Sequence, residues 1–220
     1  MVAVGADVWI LTETWSAIEL PGFRSLRSPS SLGLYDASES AAAIHVREDW
    51  SLTEIQSSGL YVCAEARRPD GGAPLLVVGT IIPWHAAPGG KKWEVHVREA
   101  AVQAACWVRL RAAYPKHRLV VAGDFNTTLC AAGTGYGTAN GRSRIHGGMQ
   151  SAGLVCPTAE SWVADDQPAT GTRHLIDHIL IDGRWLAGGP IKLDKLLGPT
   201  GRMLSDHPLV SLDVIESDGA

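Results

Sequence analysis

Residues Val120 to Thr128 read VVAGDFNTT, and they close a longer run, RLVVAGD, that begins at Arg118. Short, apolar, rich in β-branched side chains and stopped by a glycine, this run predicts a buried strand over 118–124. It delivers an acid, Asp124, and an amide, Asn126, at the point where it stops being a strand. The plain explanation is a turn closed by the local hydrogen bonds that Asp and Asn make. The alternative is a site: strand ends are where a rigid apolar scaffold can hold polar groups in fixed geometry. The segment alone does not choose between them.

Working outward, six further strands are expected at DVWILT (7–12), AAAIHVR (41–47), GLYVCAEAR (59–67), LLVVGTII (75–82), HLIDHILI (174–181) and PLVSLDVI (208–215). The turn-forming stretch RRPDGGAP joins the third and fourth strands of this list as a hairpin. Between Lys92 and Ala113 apolar residues recur near helical spacing and stop before a Tyr-Pro pair, which predicts a helix. A shorter helix is expected over about 142–152, closed by Gly153. Many strands with two helices, hairpins mixed with crossovers, point to an α+β or α/β sandwich, and the order is too irregular for a TIM barrel.

Composition bounds what this scaffold can be. At 220 residues, 45% hydrophobic and 19% charged, the chain supports one sizeable core, so a single domain over 1–220 is expected. A mean hydropathy of +0.04 and eight Trp exclude a disordered chain. No apolar run approaches the ~20 residues of a membrane span. The start, MVAVGADVWI, lacks a basic segment and carries an acid inside its apolar stretch, unlike a signal peptide, so a cytoplasmic protein is expected. Cys63, Cys106, Cys130 and Cys156 form no C-x-x-C pair and read as buried, reduced thiols. A net charge of -4 gives no overall field for nucleic acid, so any phosphate binding must be local.

Polar residues at the ends of apolar strands are the candidates for chemistry: Glu13 after WILT, His85 ending GTIIPWH, Asp124 with Asn126, Asp177 inside LIDHI, and Asp206 with His207 before the last strand. Each alone is more simply a cap or a solvated group. His174 and His178 raise a zinc reading, since on a helix that spacing puts both rings on one face. On a strand the same spacing spans roughly 13 Å, too far for one tetrahedral ion, and alternation sends Asp177 to the opposite face. Zinc is not expected.

Taken in order, LTET, PWH, GDFN, LIDHI and SDHPLV resemble the endonuclease/exonuclease/phosphatase superfamily of metal-dependent phosphoesterases, over roughly residues 5–215. GDFN and SDH, about 80 residues apart, are the specific part. The resemblance implies a DNase I-like four-layer α/β sandwich, two packed mixed sheets flanked by helices, with the site at one end. Hard oxygen ligands suit Mg²⁺ or Mn²⁺, with Glu13 as first ligand and Asp206 as a second. His207 would take a proton from water and Asp177 would orient its ring. The resemblance further implies that Asp124 aligns or deprotonates the attacking water, that Asn126 holds a phosphate oxygen or that water, and that His85 stabilises transition-state charge.

Family members begin with an Asn-bearing strand and a helix before the Glu segment, whereas here Glu13 comes almost at once and the only Asn are Asn126 and Asn140. Thr12 also replaces the usual Gln, and Pro83 precedes His85. The first strand is therefore expected to be missing, through a late start, a chemistry that dispenses with that Asn, or lost activity. Its absence would expose a neighbouring strand edge, favouring instability or self-association. The substrate expected is a phosphate ester, nucleic acid or smaller, with a lipid or sugar phosphatase or a binding module of the same fold as alternatives. Tyr136, Arg142 and Arg144, in the Gly-rich segment after GDFN, could reach substrate phosphates, and Trp84 could stack on a base.

Overall fold

The computed structural model describes residues 5–30, 38–131, 133, 135–164, 172–197 and 200–216. The elements run β1 (Val8–Trp15), β2 (Phe23–Arg27), β3 (Glu39–Arg47), β4 (Ser51–Ser58), β5 (Tyr61–Arg67), β6 (Leu75–Ile81), α1 (Glu94–Ala113), β7 (Arg118–Asp124), α2 (Ala139–Ala152), β8 (Leu154–Val155), β9 (Trp162–Ala164), β10 (Thr172–His174), β11 (Asp177–Asp182), β12 (Trp185–Ala187), β13 (Lys192–Asp194), β14 (Leu209–Ser211) and β15 (Val214–Glu216). No helix among the described residues is long and apolar enough to cross a membrane.

Two sheets pack face to face. The larger has the order β4-β5-β6-β7-β11-β8, and the smaller, antiparallel, the order β1-β3-β2. Within the larger sheet only β6 and β7 run parallel, and α1 is the crossover between them. The inter-sheet core joins Ala42, Ile44 and Val46 of β3 to Val62, Ala64 and Ala66 of β5 and Val77 of β6. The other face of the large sheet packs Leu76, Val78, Leu119, Val121 and Leu180 against Trp107 and Leu110 of α1 and Ile145 and Met149 of α2. Because β6 is buried on both faces its sequence is continuously apolar rather than alternating. The result is the expected α/β sandwich, with both described helices covering the larger sheet.

Local chemistry explains the boundaries. Helix α1 stops at Tyr114, before Pro115. Helix α2 begins three residues earlier than expected, at Ala139, because the Thr138 hydroxyl accepts from the Gly141 N–H at 3.0 Å and caps the end. It ends, as expected, on Gly153 at φ 64°. The run 174–181 is not one strand: β10 pairs with β9 and β11 with β7, and the chain changes partner at Leu175 and Ile176. There the Leu175 N–H donates to the Ser161 carbonyl and the Ile176 carbonyl accepts from Phe125. The run 208–215 likewise divides between a pairing with β13 and one with β12. Strand β4 was invisible in sequence because SLTEIQSS is a polar edge strand with a bulge between Glu54 and Gln56. Strand β1 pairs on one side only among the described residues, with β3.

Candidate active site

The two central strands β7 and β11 are antiparallel in a register that sets Asp177 opposite Asp124. A cross-strand pair points to one side of the sheet, so two carboxylates meet where β7 ends and β11 begins. Gly123 makes this end possible: its φ is 142°, and a Cβ there would lie 1.9 Å from the Thr80 carbonyl oxygen on the parallel neighbour β6. The third member arrives from far along the chain. His207 Nδ1 lies 2.9 Å from both Asp177 oxygens, and ligand atoms of Asp124, Asp177 and His207 all fall within 4.8 Å of one another.

Asn126 sits at φ 46° and donates from its N–H to Asp124 Oδ1 at 2.7 Å. Its Nδ2 donates to Asp124 Oδ2 at 2.8 Å and to the Ile82 carbonyl at 3.1 Å. The turn reading of GDFN is thus true, and the turn lies inside the cluster. It also limits what Asn126 can offer: with both amide hydrogens engaged, the side chain is left an acceptor, suited to a water molecule and not to a phosphate oxygen.

Electrostatics follow from crowding these groups. Asp124 is 5% exposed. Burial first, then the charges of Asp177 and Glu13, push its carboxyl up to about 7, against the opposing pull of the Asn126 N–H and of His207. The hydrogen bond to Asp177 outweighs burial and pushes His207 up to about 9, helped by the charges of Asp177, Asp124 and Asp206. Glu13 is exposed on β1 at φ 48°, outside the tight cluster but close enough to act on Asp124. Asp206 is exposed beside His207.

His85 follows β6, half-buried, with Nδ1 3.0 Å from the Tyr136 hydroxyl and its ring centroid 5.5 Å from that of Trp93. Trp84 beside it is 50% exposed, whereas Trp9, Trp50, Trp107 and Trp185 are core. Arg142 is turned to another use: its Nη1 donates to the Tyr136 carbonyl at 3.2 Å, bracing the loop. Arg144 is exposed on α2. His178 lies in the core with both nitrogens engaged, Nε2 on the Thr127 carbonyl at 3.0 Å and Nδ1 on the Thr158 hydroxyl at 3.2 Å, and burial pulls it down to about 4. It supports the GDFN turn from behind, and Asp177 alone of the LIDHI segment reaches the cluster.

Sequence reading missed Trp93 and His96, which it absorbed into the apolar pattern of α1. The His96 Nδ1–H donates to the Pro83 carbonyl at 2.8 Å, and the Trp93 N–H to the His85 carbonyl at 3.1 Å. Only a backbone angle betrays Trp93. Among the described residues the non-glycine positions with positive φ are Glu13, Trp93 and Asn126, and all three border this cluster or His85. Such strain costs of order 1–3 kcal/mol per residue and gathers at functional sites.

The donor set fits a divalent cation. Carboxylates packed until one of them resists ionisation lack a compensating positive charge, and oxygen donors suit a hard ion. A cation among them would hold Asp124 ionised and relieve His207 of the negative charge that keeps it protonated.

Solved structures share the architecture. The AP endonuclease LMAP from Leishmania major is 14% identical, with a TM-score of 0.69 over 99% of this chain and 80% of that one. The 3′ phosphatase NExo from Neisseria, bound to product DNA hairpin, is 16% identical, with a TM-score of 0.63 over 94% and 88% of the two chains. The endonuclease domain of TRAS1, a telomere-specific non-LTR retrotransposon, is 17% identical, with a TM-score of 0.62 over 94% and 85%. At such identities they establish the fold, a DNase I-like sandwich. No curated protein matches the chain. The model of the Endonuclease/Exonuclease/phosphatase family matches residues 1–207, a span that takes in every residue of the cluster from Glu13 to His207. The chain belongs to the endonuclease/exonuclease/phosphatase family, a superfamily of phosphoesterases.

Proposed function

We propose that this protein is a divalent-cation-dependent phosphodiesterase acting on nucleic acid. The observation that carries the reading is the Asp177–His207 pair, oriented through both carboxylate oxygens and standing beside the buried Asp124. Asp177 holds the His207 ring with Nδ1–H toward itself, which leaves Nε2 as the base that removes a proton from water. Asp124, held by the Asn126 N–H and Nδ2, accepts the water's other hydrogen and aims it at phosphorus. His85 donates to a non-bridging oxygen as charge develops there. Glu13 is the ligand we assign to Mg²⁺ or Mn²⁺, with Asp206 as the second, and the bound ion would neutralise phosphate charge. Trp84, exposed beside His85, favours a substrate with a base to stack on over a lipid or sugar phosphate.

The test is hydrolysis of plasmid DNA, RNA, bis(p-nitrophenyl) phosphate and small phosphomonoesters, side by side, with Mg²⁺ and with EDTA. Cleavage of the diesters should vanish with EDTA and fall by roughly 100-fold or more in Asp124→Ala and in His207→Ala. Activity untouched by both substitutions overturns the reading, and turnover of monoesters alone replaces it with a phosphatase. No turnover with any metal would leave a binding module of the same fold.

A further inference from the structure

We propose that Tyr136 is a positioning residue for His85: its phenolic O–H donates to His85 Nδ1 and so leaves the ring proton on Nε2, making His85 a neutral donor. The inference rests on the role given to His85 above. Sequence had offered Tyr136 as a direct contact to substrate, but its hydroxyl is spent within the protein, 3.0 Å from that ring nitrogen. The phenol also bonds the His85 backbone, with its oxygen as the acceptor, so its hydrogen is left for Nδ1. A phenol is a strong donor and an unprotonated imidazole nitrogen a strong acceptor, whereas the reverse assignment would leave the phenolic hydrogen without an acceptor in the protein.

Tyr136 lies on the surface, 37% exposed, yet it is held as a core residue would be. Its carbonyl accepts from the Thr128 N–H at 3.0 Å and from Thr127 Oγ1 and Arg142 Nη1, each at 3.2 Å. The residue after it must be glycine: Gly137 stands at φ 103°, and a Cβ there would lie 1.9 Å from Thr127 Oγ1. The His85 side is held as firmly. Trp93 and His96, from the start of α1, bind the carbonyls of His85 and Pro83, and the Trp93 ring lies 5.5 Å from His85 and 5.2 Å from Tyr136. The segment 83–96 and the distant loop 127–142 thus converge to fix one hydroxyl against one nitrogen. Neutral imidazole exists as two tautomers, and what the second nitrogen bonds to selects between them. A donor on Nδ1 selects Nε2–H.

Nitrogen-15 NMR of the eight imidazoles, with the His85 signals assigned by their loss in His85→Gln, reads the tautomer directly in the resting protein. The expected result is a protonated Nε2 and a bare Nδ1 in the wild type, and a tautomer mixture in Tyr136→Phe, with the melting temperature of that variant unchanged. A proton on Nδ1 in the wild type, or identical spectra for the two proteins, overturns the proposal. Where turnover is measurable, Tyr136→Phe should lower kcat roughly 10-fold or more with KM preserved; a loss confined to KM would return Tyr136 to the substrate surface and overturn it too. The spectrum needs no turnover, so failure of the phosphodiesterase reading and failure of this one remain distinguishable.

Discussion

Asp177 shows most plainly how one residue sets the character of another. It faces Asp124 across the strands and bonds His207 with both oxygens, so its charge works on both neighbours, pushing both carboxyl and imidazole up in pKa. Asp177→Asn keeps the shape and removes the charge. His207 should then titrate back toward the ordinary imidazole range near 6.5, and Asp124 should ionise more readily. Proton NMR of the His207 ring checks the first. Activity should drop by roughly 100-fold or more, since an amide at Nδ1 no longer stabilises a protonated base. The legible part of this pair was its chemistry: SDH and LIDHI name an imidazole and an acid. What no spacing could supply is that residues 30 apart in sequence meet at 2.9 Å.

At the scale of elements, the site hangs on how closely α1 and α2 approach the large sheet and each other. Gly148 of α2 faces Ala104 of α1, and a Cβ on it would come within 2.5 Å of the Ala104 Cβ. Gly141, two turns earlier on the same face, would meet the His96 ring at 2.8 Å in the same way. These glycines weaken the helix propensity of α2, yet they allow the two helices to touch. Gly148→Ala should push α2 off α1 and destabilise the fold by about 1–3 kcal/mol, measured by chemical denaturation, despite the better helix former. An unchanged or higher stability would mean that the helices yield freely.

For the whole molecule, stability becomes a matter of pH and cation. Asp124 and His207 have raised folded pKa values, so each adds stability that is full at low pH. It is lost as pH rises, between about 4 and 7 for Asp124 and between about 6.5 and 9 for His207. His45 and His178 are buried and pulled down to about 4, by burial first, so the stability they add is full above 6.5 and lost as pH falls toward 4. Without divalent cation the protein should therefore weaken on both sides of a maximum near pH 6 to 7. Added Mg²⁺, binding the folded state, should raise the melting temperature more at pH 8 than at pH 6, and Asp124→Asn should blunt that difference. Equal shifts at both pH values, in wild type and variant alike, would argue against a cation among these carboxylates.

The sequence by itself determined the class of fold and the types of group available for chemistry. Both are written locally: apolar runs buried on two faces specify the central strands β6 and β7, and the Pro after Tyr114 stops α1. Tertiary structure decided everything that depends on which distant segments meet. It divided 174–181 where the chain changes sheet partner, made β4 a strand by lending polar residues an edge to pair with, and turned Arg142 and Tyr136 inward on the site's own framework. The physical reason is that strand pairing and side-chain hydrogen bonds are satisfied by whatever the fold brings within about 3 Å, and a one-dimensional pattern carries no record of that proximity.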